Sequence, residues 1–451
     1  MDFLQLLVGL TLLSYVFDTY LGQRQLAKLR HSAPPATLQA YFSLLGDSSN
    51  FLPSQNYLSD KLRFGQVAGL VDLVESAATY TTLLSIVSAK AIPVSGLKAI
   101  WDYAGTYELV IHRGEIAQSL AFAVLVAAAS MITSVPASLY RTFVLEEKHG
   151  FNKTTFQTWL LDLVKSQLLT AVLGLPLIAA LLKTIDYAGP SFVNYTMLLI
   201  ISIQLIMIPT YPYLIAPIFN KYKAIHEFKD KENYVTVAKR IEGLAQRLDF
   251  PLGRLWVMDG STRSSHSNAF FFGLPFLTKH IVLYDTLLDQ NTPEEVEAVL
   301  AHELGHWKFN HSLIMLLISQ AITFVNLSMI RLTLFNPSLY RSFSFTHERP
   351  LIIGLLLSMS LLGPLDTIIS FLMNAISRKN EFQADRFAFD LSDAEHHYAE
   401  KLKIALVRLG DKNKSVTDVD GLWSAFKHSH PTMPERIDRL DQLLADEAKK
   451  N

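Results

Sequence analysis

Thirty-four consecutive residues, Tyr187 to Asn220, carry no charged side chain. A hydrocarbon layer of ~30 Å takes about 20 mostly apolar residues to cross as a helix. Four more stretches behave alike: Ile116 to Tyr140, Ser166 to Leu182, Ser312 to Ile330, and Leu351 to Ser377, the last broken only by Asp366. Phe3 to Leu21, with Asp18 near its end, makes a sixth. Phe64 to Ala89, carrying Asp72 and Glu75, is the weakest, and the count expected is seven. Half of the 451 residues are hydrophobic and only 18% are charged, which an ordinary soluble domain of this length would not tolerate. Pro209 and Pro212 are expected to bend the fifth span.

The first segment lacks the basic start and small-residue cleavage site of a signal peptide, so it is expected to remain as a span. A net charge of −1 gives no electrostatic basis for binding nucleic acid. The absence of cysteine excludes thiolate metal sites and a cysteine nucleophile. Lys and Arg divide too evenly between the two sets of loops for the positive-inside rule to orient the chain.

Chemistry concentrates in His302-Glu303-Leu304-Gly305-His306. Two histidines four residues apart share one helical face and can hold one zinc ion, while the intervening glutamate can take a proton from an attacking water. The motif requires a helix, and the flanking sequence supplies one. Thr292 can cap, Pro293 suits the first turn, Glu295 completes a capping box, and Val296, Val299, Leu300 and Leu304 follow at helical spacing. Upstream, Arg254 to Asp259, Ser267 to Phe272 and His280 to Asp285 have the pattern of short strands. The chain therefore divides into spans one to five (1–220), an extramembrane region with the pentad helix and a small sheet (221–311), spans six and seven (312–377), and a helical C-terminal region (378–451).

A catalytic zinc commonly has three protein ligands. The pentad directly precedes the sixth span, so groups between spans six and seven, such as His347 and Glu348, fall on the wrong side of the membrane. The chain returns after the seventh span, where Glu381 is the first acidic residue. Asp385 lies four residues on, on the same helical face, suited to orienting a ligand imidazole. His396, His397, His428 and His430 remain rivals for the third position. Ser264, Ser265 and His266 lack the G-x-S-x-G context of a serine hydrolase.

These residues resemble the type I CAAX prenyl proteases. The likeness runs through Phe143-Val144-Leu145-Glu146-Glu147-Lys148-His149-Gly150-Phe151-Asn152-Lys153, Pro217 to Tyr222, Ser264 to Phe270, the pentad continued by Trp307, Glu381 to Asp385, and Ser429 to Thr432. The resemblance implies an all-α multi-pass membrane protein with about seven helices around an intramembrane chamber. Its gluzincin-like metalloprotease domain would carry a small β element. It implies one zinc per chain on His302, His306 and Glu381, with Glu303 as general base and then proton donor. His430 and Arg436 would face the scissile carbonyl, and the strand at Asn268 and Ala269 would pair with extended substrate. The implied activity is removal of the last three residues of prenylated CAAX proteins, with trimming of the N-terminal part of a farnesylated mating-pheromone precursor. The implied location is the endoplasmic reticulum membrane and inner nuclear membrane, with the zinc site cytosolic. Nothing in the chain sets an oligomeric state, and a monomer suffices for every motif. Two other readings compete: a membrane quality-control zinc protease, and a non-catalytic scaffold or transporter with a degenerate metal site.

Overall fold

A computed structural model describes residues 2–30, 51–80, 95–107, 113–273 and 278–450. Among these residues the chain is mostly helical. Five helical stretches are long and apolar enough to cross a membrane: Phe3–Lys28, Glu115–Glu146, Phe156–Phe219, His311–Leu334 and Leu351–Asp390. The first is α1 (Phe3–Lys28), followed by the long, more polar α2 (Phe51–Tyr80) and by α3 (Glu115–Tyr140), which continues through a π-helical turn at Arg141–Glu146.

Phe156–Phe219 would be roughly 95 Å long if straight, three times the layer's thickness. It folds back instead. α4 (Phe156–Leu169) and α5 (Leu175–Ala188) form one leg, and α6 (Phe192–Thr210) with a π-helical turn at Tyr211–Ile215 forms the other. The reversal sits at Gly189, whose φ of 51° favours glycine. Pro209 shortly precedes the widened turn of the second leg and Pro212 lies within it, where a missing N–H loosens the helix. The two expected spans Ser166 to Leu182 and Tyr187 to Asn220 thus correspond to these two legs. The Phe64 to Ala89 stretch is helical to Tyr80, and its remainder lies outside the described residues.

The extramembrane half begins with β1 (Tyr222–Ala224), α7 (Glu232–Arg247) and β2 (Leu252–Met258). Then come β3 (Ala269–Phe272), β4 (Lys279–Tyr284) and α8 (Pro293–Lys308). The three expected strands are present within a few residues of their expected limits, and β1 adds a fourth. The sheet order is β1-β2-β4-β3, with β2 parallel to β4 and the other pairs antiparallel. β3 is therefore an edge strand with one side unpaired within the sheet. Ala269 and Phe271 pack against the core; Phe270 and Phe272 line a cavity on the other face.

α8 is held at its start by the Thr292–Glu295 capping box, with Pro293 in the first turn. Leaving it, the chain runs into α9 (His311–Leu334), long and apolar enough to cross a membrane, and returns along α10 (Leu351–Asp390). At ~1.5 Å per residue α10 extends roughly 60 Å, about twice what a bilayer requires. Its first part is the apolar run ending near Ser377, and its charged remainder brings Glu381 and Asp385 beside α8. α11 (Tyr398–Lys412) and α12 (Met433–Ala448) close the domain. Its core gathers Val237 and Ile241 of α7, Leu255 and Leu283 of the sheet, Val296, Leu300 and Leu304 of α8, Leu402 of α11 and Leu440 of α12.

Candidate metal centre

α8 and α10 approach unusually closely at Gly305. A Cβ added there would lie 3.0 Å from the Ala384 Cα and 3.2 Å from the Phe387 Cβ. Glycine in the pentad thus lets the two helix backbones meet, and the meeting aligns three donor atoms. His302 Nε2 lies 3.2 Å from His306 Nε2 and 3.4 Å from Glu381 Oε2, and His306 Nε2 lies 3.3 Å from Glu381 Oε1. Ligands held tetrahedrally at ~2.0–2.1 Å from one ion stand about 3.3 Å apart. The spacing therefore suits a shared metal ion. Glu381 Oε2 is buried and has no hydrogen-bond partner, a lone pair left for an ion.

The tautomers agree with this. His302 Nδ1 lies 2.9 Å from Asp385 Oδ1 and donates to it, which leaves Nε2 as the lone-pair nitrogen. His306 Nδ1 lies 2.9 Å from His311 Nδ1, and His311 Nε2 lies 3.2 Å from Gln383 Oε1. A proton on His306 Nδ1 and another on His311 Nε2 satisfy the whole chain and again free the inner nitrogen. Burial and the Arg436 charge both act to depress the His302 pKa. The carboxylates of Asp385 and Glu381 beside it outweigh them and raise it to about 9. In the metal-free protein a proton thus occupies this imidazole, to be displaced when an ion binds.

Glu303 is half-buried on the flank of α8 next to His306, sharing a small void with Ala269, Phe270 and Phe271 of β3. His430, just before α12, lies with Nε2 3.4 Å from Glu381 Oε1 while about two-thirds exposed. It lines a cavity of about 640 Å³ together with Asn268 and Arg436. Arg436 faces two carboxylates. Its Nε and Nη2 donate to the two Asp385 oxygens at 2.9 and 2.6 Å, and Nη1 is 3.4 Å from Glu381 Oε2. It is largely buried, at the wall of the cavity it helps to line.

Of the rival ligands, His396 pairs with Asp393 and His428 packs against Trp423. Among the described residues the three-donor group is His302, His306 and Glu381. His266 stacks on Phe151 with ring centroids 4.2 Å apart and bonds Asn413, away from any nucleophile pairing. Sequence reasoning missed His311 and Gln383. Their signal was available in principle, as a third histidine five residues after the pentad and a glutamine inside the Glu381 to Asp385 motif.

Comparison with known proteins agrees along the whole chain. Residues 23–221 match the family described as CAAX prenyl protease N-terminal, five membrane helices, and residues 232–444 match peptidase family M48. The chain belongs to the M48 CAAX prenyl protease family. It is accordingly a multi-pass membrane metalloendopeptidase. Relatives in this family include CAAX prenyl protease 1 of Saccharomyces cerevisiae, 36% identical over 98% of this chain and 96% of that protein. The CAAX prenyl protease 1 homolog of Arabidopsis thaliana is 38% identical, covering 97% of each chain. The crystal structure of S. mikatae Ste24p superposes with a TM-score of 0.86 at 37% identity, covering 98% of this chain and 99% of that one.

Proposed function

We propose that this protein is a zinc endopeptidase that removes the C-terminal tripeptide from prenylated CAAX proteins, and that it also trims the N-terminal part of a farnesylated mating-pheromone precursor. The observation that carries this reading is the three-donor cluster, spaced 3.2–3.4 Å, beside an edge strand with a free side. Support for the substrate comes from the family names of relatives matching almost the full chain. The proposed setting is the endoplasmic reticulum and inner nuclear membranes. There, the spans around a chamber would present the lipidated tail, and 221–311 with 378–451 would hold the cytosolic chemistry.

His302, His306 and Glu381 would hold the zinc, with Asp385 and His311 fixing the two imidazoles. Zinc, when bound, would make a water more acidic and polarise the scissile carbonyl. Glu303 takes the proton of the attacking water and returns it to the amide nitrogen as the C–N bond breaks. His430, turned toward the cavity, donates to the carbonyl oxygen as it gains charge. Arg436 acts through the carboxylates of Asp385 and Glu381, holding them where the imidazoles need them. Asn268 and Ala269 open the edge strand along which an extended substrate backbone would pair.

The direct test is incubation of purified, zinc-loaded protein with a farnesylated CAAX peptide, with Glu303→Ala run alongside. Release of the tripeptide by the wild type and its loss in the variant is the expected outcome. Folded, zinc-loaded protein that leaves the prenylated peptide intact would overturn the substrate assignment.

A further inference from the structure

The cavity opening from His430 is lined by four basic side chains, Lys61, Lys414, Lys427 and Arg436, and by no Asp or Glu among the described residues. Two of the four are neutralised from outside it. Arg436 is paired with Asp385, and Lys427 with Asp18 of an adjoining cavity. The other two are not. Lys414 donates to the backbone oxygen of His149 and sits over the Phe151 ring, both neutral partners. Among the described residues Lys61 makes no hydrogen bond or ion pair; its ammonium rests 4.8 Å above the Tyr57 ring, and the nearest acidic influence on it is Glu146, whose carboxylate is taken by the Tyr57 hydroxyl. Neither ammonium has a carboxylate within ion-pair distance among the described residues, so both can still donate a charge-assisted hydrogen bond to an anion entering the cavity.

The lining at this end of the cavity is backed by the Phe143 to Lys153 motif, to which the metal centre gives no task. Glu146 fixes Tyr57 by accepting its hydroxyl at 2.8 Å, the His149 carbonyl holds Lys414, and Phe151 supports both Lys414 and His266.

Resting on the CAAX reading, we propose that Lys61 and Lys414 bind the C-terminal carboxylate of the substrate and so measure the tripeptide that is released. The two cavities flanking β3 give the site a direction. Asn268, at the start of β3, lines the cationic cavity, whereas Phe270 and Phe272 farther along it line an apolar one of about 450 Å³ with Tyr213, Trp256 and Val282. A substrate antiparallel to β3, cleaved beside Glu303, lays its upstream residues along the apolar cavity and sends its downstream residues into the cationic one. Parallel pairing would bury the carboxylate among aromatic rings. Three extended residues span roughly 10 Å, and their free carboxylate is the single charge that every such tripeptide carries there.

The test compares two farnesylated peptides that differ only in ending as a free acid or an amide. Wild-type kcat/KM should favour the acid by roughly tenfold or more, as expected for a charge-assisted hydrogen bond. Lys61→Met and Lys414→Met should each cut that ratio, the double variant should bring it near one, and Lys61→Arg should retain most of it. A wild-type ratio near one overturns the proposal. So does a double variant that slows both peptides in parallel, because lysines that only support the fold leave the ratio unchanged. If the zinc-loaded wild type cleaves neither peptide, the CAAX reading itself fails and takes this inference with it.

Discussion

The two halves of α8 both bury charge, to opposite ends. In the first half Glu295 accepts from Arg408 at 2.7 Å, and Glu297 accepts from Arg240 at 2.9 Å and from the Tyr398 hydroxyl at 2.8 Å. Both glutamates are almost fully buried, and both have their partners inside the protein. In the second half, His302 and His306 turn lone pairs toward Glu381, one of whose oxygens has no hydrogen bond at all. Complete pairing makes the first half a fastener. Deliberate incompleteness makes the second a receptor for an ion, since buried donors and acceptors are rarely left unmatched without a role.

If that contrast is right, changes in the second half should move metal content and turnover while leaving unfolding largely alone. The largest effect belongs to Glu303→Ala, with kcat down by about 10²–10⁴-fold and zinc still present by elemental analysis. Retained turnover would remove Glu303 from its role. Glu381→Ala should lose zinc as well as activity, its affinity falling beyond the ~10–100-fold expected for an outer partner. Full zinc occupancy in that variant would move the third ligand elsewhere. Asp385→Asn should weaken zinc binding by about 10–100-fold in a competitive chelator titration, through the orientation of His302. Gly305→Val should separate α8 from α10 and lower zinc affinity too, a smaller effect if the Phe387 side chain can give way. Glu297→Ala tests the first half. It should cost about 2 kcal/mol in unfolding, because Arg240 is already about a third exposed, yet keep one zinc per folded chain. Loss of zinc from folded Glu297→Ala protein would break the contrast.

Burial in the membrane half follows another rule. α4 has no buried residue, and Leu160, Leu168 and Val172 are open on its surface or just beyond it. Such side chains lack partners in the protein, so apolar sequence there marks a span without marking a packing partner. This is why the spans were legible as charge-free runs but their mutual arrangement was not. The capping box and helical spacing of Val296, Val299, Leu300 and Leu304 placed the pentad on a helix for local reasons that survive in any fold. The β-branched and aromatic clusters marked three strands. β1 escaped notice because three residues, Tyr222–Ala224, hold too little pattern, and their strand character comes from pairing with β2.

From the sequence alone followed a membrane-spanning chain, a helical pentad with metal-ligand spacing, and an acidic candidate returning to the pentad's side at Glu381. These rest on composition, local propensity and the parity of membrane crossings, which are properties of neighbours along the chain. The tertiary structure alone decided which atoms converge. It set Gly305 against Ala384, put His311 and Gln383 behind His306, turned Arg436 onto Asp385, and set Lys61 over the Tyr57 ring in a cavity assembled from α2, α11 and the approach to α12. Those contacts join residues up to hundreds of positions apart, and only the packing of whole helices brings them within hydrogen-bond range.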